Sequence, residues 1–193
     1  MSANTTSPQV AVRVDVVHVP ASELEATLRA RLGAALGIAA ASVEISRECE
    51  HCGDLDHGRP RLPGNEVAFS VSHSGDRGVV AFAPGVSRIG VDLERVRPRP
   101  FLDRLAARTL TPDALATWSA APRAEQLERF LRAWTMKEAY LKATGVGITT
   151  TLCAVPEQPA GWIVRAIDTP RGYVASVAVE TARPVIVCDG TAG

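Results

Sequence analysis

The stretch VAFSVSHSGDRGVVAFAPGVSRIGVDLERVRPRP, residues 67–100, decides the fold. It holds three short apolar runs, VAFSVS at 67–72, GVVAFA at 78–83 and RIGVDL at 88–93, each bounded by turn residues, which predicts three β-strands. Ser74-Gly75-Asp76-Arg77 joins the first two as a hairpin, and Pro84-Gly85 leads into the third. RVRPRP at 95–100 then breaks regular structure and is the internal boundary. Towards the N-terminus, a loose tail over 1–9 precedes VAVRVDVVHV at 10–19, whose valine-rich alternation reads as a strand. A helix over 22–36 follows, because Ser22 and Glu25 have capping-box spacing and Leu24, Leu28, Leu32 and Leu36 recur on one face. Towards the C-terminus, Thr111-Pro112-Asp113 marks a helix start, and 123–143 reads as a long helix ended by Gly145 and Gly147. TLCAV, GWIVRAI, GYVASVAVE and PVIVC complete the chain as strands. Helix then strands thus occurs twice, so the expected class is α+β with mostly antiparallel strands, in two halves spanning 1–95 and 96–193.

Composition narrows the function. The 193 residues carry 21 Lys+Arg and 21 Asp+Glu, so no global field holds nucleic acid or an anionic membrane, and a polyanionic ligand must be met by a local site. No run of about 18 apolar residues exists, and the N-terminus has neither a basic start nor an apolar stretch, so the protein is expected in the cytoplasm. Four cysteines are too few for a disulfide scaffold. Cys49, Cys52 and His57 have a spacing open to two readings, a structural zinc lacking its fourth ligand or free thiols in a polar loop over 47–66. Only two of the 21 basic residues are lysines, Lys137 and Lys142, and both flank Glu138 in WTMKEAYLK, which marks that segment as chemical.

Three constellations can carry chemistry. Asp92 and Glu94, two apart on a strand, project to one side of the sheet, either as a solvated strand end or as a site for a hard cation. Leu127, Leu131, Trp134, Glu138 and Lys142 fall at spacings of three and four, putting a carboxylate and an ammonium on the apolar stripe of the long helix. They form either an edge ion pair or, facing the acidic strand, the third carboxylate and a phosphate-neutralising cation. FSVSHSGD offers Ser72, His73 and backbone N–H groups suited to anionic oxygens. It is no hydrolase triad, because Ser72 and His73 point to opposite faces and no G-x-S-x-G elbow exists.

HGRP at 57–60, FSVSHSG at 69–75, IGVDLE at 89–94 and FLRAWTMKEAYLKATGVGI at 130–148, in that order, resemble the 4'-phosphopantetheinyl transferases, in their longer surfactin-type branch. The resemblance covers roughly residues 10–190 and is dense between 57 and 148. It implies two similar α+β halves in a pseudo-twofold arrangement with the active site between them, a monomer, and no nucleic acid or membrane partner. The implied reaction is Mg2+-dependent transfer of the phosphopantetheine arm of coenzyme A to a serine of an acyl or peptidyl carrier protein, releasing 3',5'-ADP. Position by position, the resemblance implies Asp92, Glu94 and Glu138 as metal ligands and Lys142 as the lysine on the reacting phosphate. It implies Ser72 and His73 near the coenzyme's 3'-phosphate, Arg59 and Pro60 near the adenine, and Arg29 as a further coenzyme contact. A non-catalytic module binding coenzyme A or a carrier protein is the alternative, and the acidic triad weighs against it.

Overall fold

The computed structural model describes residues 10–47, 59–64, 67–146 and 151–189. In chain order the strands are β1 (Val12–Pro20), β2 (Ala68–Ser74), β3 (Arg77–Ala83), β4 (Ile89–Arg95), β5 (Trp162–Ile167), β6 (Tyr173–Glu180) and β7 (Val185–Asp189). The helices are α1 (Leu24–Leu36), α2 (Leu102–Thr109), α3 (Pro112–Ala120) and α4 (Arg123–Thr144). The class is α+β, as expected. The strands form a four-stranded sheet in the order β2-β3-β1-β7 and a three-stranded sheet in the order β4-β6-β5.

Alternation along the strands builds three layers of contact. Val12, Val14 and Val16 of β1 and Val79 and Ala81 of β3 face Ile89, Val91 and Leu93 of β4 and Val177 and Val179 of β6, so the sheets share one dry core. On the far face of the first sheet, Phe69, Val80 and Phe82 receive Leu28 and Leu32 of α1. On the far face of the second, Val164 and Ala178 receive Ala139 and Ala143 of α4. Because Ile89, Val91 and Leu93 point inward, the intervening Gly90, Asp92 and Glu94 turn to the opposite side. The acidic pair is therefore directed away from the shared core.

Pairing crosses the boundary expected near residue 95. β4 lies on the second sheet, antiparallel to β6, and β7 returns to the first sheet, parallel to β1. The other pairings are antiparallel. Two local expectations fail. The Ser22 capping box does not form: Ala21 N–H is drawn to the carbonyl of Asp76 at 2.9 Å, the chain makes a 3-10 turn over Ala21–Glu23, and the N-cap residue Glu23 makes no side-chain bond. TLCAV is not a strand but a 3-10 turn over Leu152–Ala154, held under α4 by a buried lysine described below. Gly37 and Gly145 end α1 and α4 at φ of 68° and 75°, the left-handed C-cap that glycine adopts freely.

Candidate active site

The site begins where glycine lets a strand touch a helix. A Cβ on Gly90 would overlap the carbonyl oxygen of Ala139 and stand 2.6 Å from the amide nitrogen of Ala143, so β4 lies on the backbone of α4 itself. Ala139 and Ala143 are fully buried at that contact. One turn of helix separates Glu138 from Lys142, and both stand beside β4 where Asp92 emerges. The bland residues of IGVDLE and KEAYLKA thus set how closely the charged ones approach.

Asp92 is 5% exposed, and its two oxygens have different fates. Oδ1 accepts from Lys142 Nζ at 2.7 Å and from Ser72 Oγ at 3.0 Å, whereas Oδ2 is buried without a partner. Burial pushes the Asp92 carboxyl above the ordinary aspartate range, and the Lys142 ammonium opposes that push in part. Glu138, 7% exposed, likewise has a buried Oε1 with no partner. Its carboxyl is pushed up first by burial and then by the charge of Asp92, and the cation on Lys142 works against both. Two buried carboxylates within repelling distance, each with an oxygen that no protein group satisfies, have the donor chemistry that a hard cation takes.

Three serines of β2 hold this strand in place. Ser70, Ser72 and Ser74 accept hydrogen bonds from the backbone N–H groups of Val91, Leu93 and Arg95 at 3.0, 3.3 and 3.1 Å. β4 is an edge strand, and the side chains of β2 close its open side. Ser72 also accepts from Lys142 Nζ at 2.9 Å while donating to Asp92, which uses its one donor and both lone pairs. Ser74 donates to Glu94 Oε2 at 3.2 Å, and Arg99 Nη2 pairs with that same oxygen at 2.5 Å.

The other expected residues fall on different sides. Arg59 donates to the carbonyl of Ala143 at 2.7 Å, capping the last turn of α4 one residue from Lys142, and with Pro60, Arg61, Leu62, Phe69 and Ser87 it lines a cleft. His73 is exposed, on the face of β2 opposite the serines. Arg29 is not brought to the acidic cluster: α1 covers the far face of the first sheet, and the guanidinium binds Glu25 and the Val43 carbonyl, both at 2.7 Å. Lys137 leaves the site as well, since it is 2% exposed and donates to the carbonyls of Leu152 and Val155 at 3.2 and 2.5 Å. Its role is to anchor the chain after α4. Glu94 is paired with Arg99 and still adds its charge to that around Asp92 and Glu138; among the described residues no three His, Cys, Asp or Glu side chains gather as a metal centre. Cys49, Cys52 and His57 lie outside the described residues. Sequence reasoning missed Arg99 and the ladder role of Ser70 and Ser74. The available signals were an arginine between two prolines, five residues after Glu94, and serines at every second position of β2.

The family model for the 4'-phosphopantetheinyl transferase superfamily matches residues 88–177, an interval that opens at β4, contains α4 and closes in β6. The 4'-phosphopantetheinyl transferase HetI of Nostoc sp. (strain PCC 7120) is 32% identical over 79% of this chain and 67% of its own length. The chain belongs to the 4'-phosphopantetheinyl transferase superfamily. Other relatives in that superfamily match a narrower part of it. Sfp of Bacillus subtilis (strain 168) is 30% identical over 50% of the chain and 42% of its own length, and AcpT of Escherichia coli (strain K12) is 34% identical over 47% and 46%. The chain thus spans two thirds of HetI and less than half of Sfp and AcpT.

Proposed function

We propose that this transferase, of the surfactin-type branch, moves the 4'-phosphopantetheine arm of coenzyme A to a serine hydroxyl of an acyl or peptidyl carrier protein, with Mg2+ as cofactor. The observation that carries the reading is the Lys142–Asp92–Ser72 cluster beside Glu138, in which half-buried Lys142 meets buried Asp92 and Ser72, with a stranded oxygen on each carboxylate. Asp92 and Glu138, with Glu94 once freed from Arg99, would hold the metal, which when bound supplies charge neutralisation at the pyrophosphate. In the transfer the serine oxygen forms a bond to phosphorus, the phosphoanhydride bond breaks, and 3',5'-ADP departs. Charge builds on the phosphoryl and leaving-group oxygens, and the ammonium of Lys142, beside Asp92, is assigned to offset it. Glu138, a carboxylate beside Asp92 and Lys142, is assigned to take the serine proton, directly or through a water.

The cleft lined by Arg59 and Pro60, where Arg59 caps α4 at the carbonyl of Ala143 next to Lys142, is assigned to the adenine end of the coenzyme, and exposed His73 to its 3'-phosphate. Among the described residues no helix is long and apolar enough to cross a membrane. The reading places the enzyme as a cytoplasmic monomer with no membrane or nucleic acid partner. The test is incubation with coenzyme A, Mg2+ and a panel of apo carrier proteins, followed by intact-mass analysis. The expected outcome is a metal-dependent gain of one phosphopantetheine on a carrier, reduced at least ~10²-fold in Asp92→Ala and Glu138→Ala, the usual loss for one electrostatic stabiliser. Unmodified carriers, or near-normal turnover in both variants, refute the assignment.

A further inference from the structure

Glu94 reaches the acidic side of β4 already paired. Arg99 Nη2 meets Glu94 Oε2, and the two side chains are only 23% and 20% exposed. The pair is unlike a well-made structural ion pair. A guanidinium at its best engages a carboxylate with two parallel N–H donors. Here a single Nη meets an oxygen already taken by Ser74 Oγ, and the Nε of Arg99 is buried without a partner. The backbone that delivers it is restricted, because Pro98 has a locked φ and Pro100 confines Arg99 to extended conformations. Arg99 is thus a firmly presented but poorly bonded cation. Its counterpart is Lys142 on Asp92, so each of the two strand carboxylates is held by one protein cation.

We propose that Arg99 is a resident counter-cation of Glu94 that a divalent metal must displace, a positioning residue that sets how readily the acidic site loads. The proposal rests on the metal reading of Asp92, Glu94 and Glu138 given above. Its physical basis is competition. The guanidinium occupies one of the two oxygens of Glu94, and its charge repels a divalent ion across a partly buried, weakly screened distance. The stranded Nε and the single-pronged contact mean that little bonding is lost when Glu94 turns from Arg99 to the metal. If Arg99 only fastened the 96–100 segment, its removal would lower thermal stability and leave metal affinity unchanged or weaker.

The experiment is a titration of the full chain with Mn2+ in the absence of coenzyme, read by the electron paramagnetic resonance of the free ion. Arg99→Met is expected to bind Mn2+ about tenfold more tightly than the wild type, the scale of one close charge interaction at a partly exposed site. Arg99→Lys, which keeps the charge, should stay within about twofold of the wild type. In a Glu94→Gln background, removing Arg99 should tighten binding clearly less. Equal or weaker Mn2+ binding by folded Arg99→Met overturns the proposal, as does an undiminished gain in the Glu94→Gln background. Should Arg99→Met not fold, Arg99→Gln removes the charge while keeping a polar contact, and the same direction is required of it. No Mn2+ binding by the wild type at millimolar metal overturns the metal reading itself, and this inference with it, an outcome distinct from intact binding that ignores Arg99.

Discussion

Glu138 and Asp92 are both buried carboxylates, yet removing their charges should have opposite effects. Burial and the neighbouring charge of Asp92 raise the pKa of Glu138, and nothing bonds its Oε1. Between the ordinary glutamate value, about 4.3, and the raised folded value, the native state binds more protons than the unfolded state. Stability therefore falls as pH rises through that window, and the cost is absent below it. Glu138→Gln in EDTA should thus melt above the wild type at pH 7 to 8, with the advantage vanishing as pH approaches 4, while transferase turnover drops by ~10²-fold or more. Thermal melts of both proteins across pH 4 to 8 check this, and a variant less stable than the wild type at pH 8 contradicts it. Asp92→Asn should bring no such gain, since it takes from the half-buried Lys142 ammonium the carboxylate that it meets at 2.7 Å. Much of this was legible beforehand: the two-residue spacing of Asp92 and Glu94 and the four-residue spacing of Glu138 and Lys142 name the cluster. Arg99 was not, because its reach back to Glu94 depends on where a proline-bounded turn delivers its head, which no periodicity encodes.

At the scale of elements, the decisive contact joins β4 to α4 through Gly90. The atoms that a methyl group would strike are the backbone oxygen of Ala139 and the backbone nitrogen of Ala143, and neither can swing aside as a side chain could. Gly90→Ala should therefore fall at the upper end of overpacking costs, about 3 kcal/mol. In a domain of this size that is a fall of roughly 6 to 12 °C in Tm, and calorimetry measures it. Because any relief must lift α4 off β4, the surviving folded fraction should also lose turnover. A Gly90→Ala protein with unchanged Tm and activity would show that helix and strand stand further apart. The alternation of IGVDLE did reveal which residues face inward. What FSVSHS could not reveal is whether its hydroxyls look toward a ligand or toward a neighbouring strand. Ser70 and Ser74 close the edge of β4, and Ser72 does so while also holding Asp92 and Lys142, because tertiary packing, not local pattern, lays β2 beside that edge. The capping-box reading at Ser22 failed for the same reason, since a distant carbonyl on Asp76 fixes how the chain enters α1.

For the whole molecule, the exchange of strands makes the two sheets one cooperative body. β7, the last strand, pairs with β1, the first, and Val12 N–H binds the carbonyl of Pro184 at 2.7 Å. Val185 and Val187 pack on the core that both sheets share, and β4 feeds the second sheet from the N-terminal side of the 95–100 boundary. Neither sheet can lose its partner without exposing Val14, Val16, Val91 and Val177, all fully buried. Unfolding should therefore be a single transition. The three tryptophans test this well, because Trp118, Trp134 and Trp162 all lie on α3, α4 and β5, so their fluorescence reports on the second sheet and its helices. Hydrogen exchange at β1 and β3 amides reports on the first sheet. In a urea titration the two signals should be lost at one midpoint. Removing residues 185–189 should lower that midpoint for both probes together, because the parallel edge of β1 and part of the shared core go with them. Two separated midpoints in the intact chain would mean that the sheets fold independently and that the shared valine core contributes little to holding Asp92 against α4.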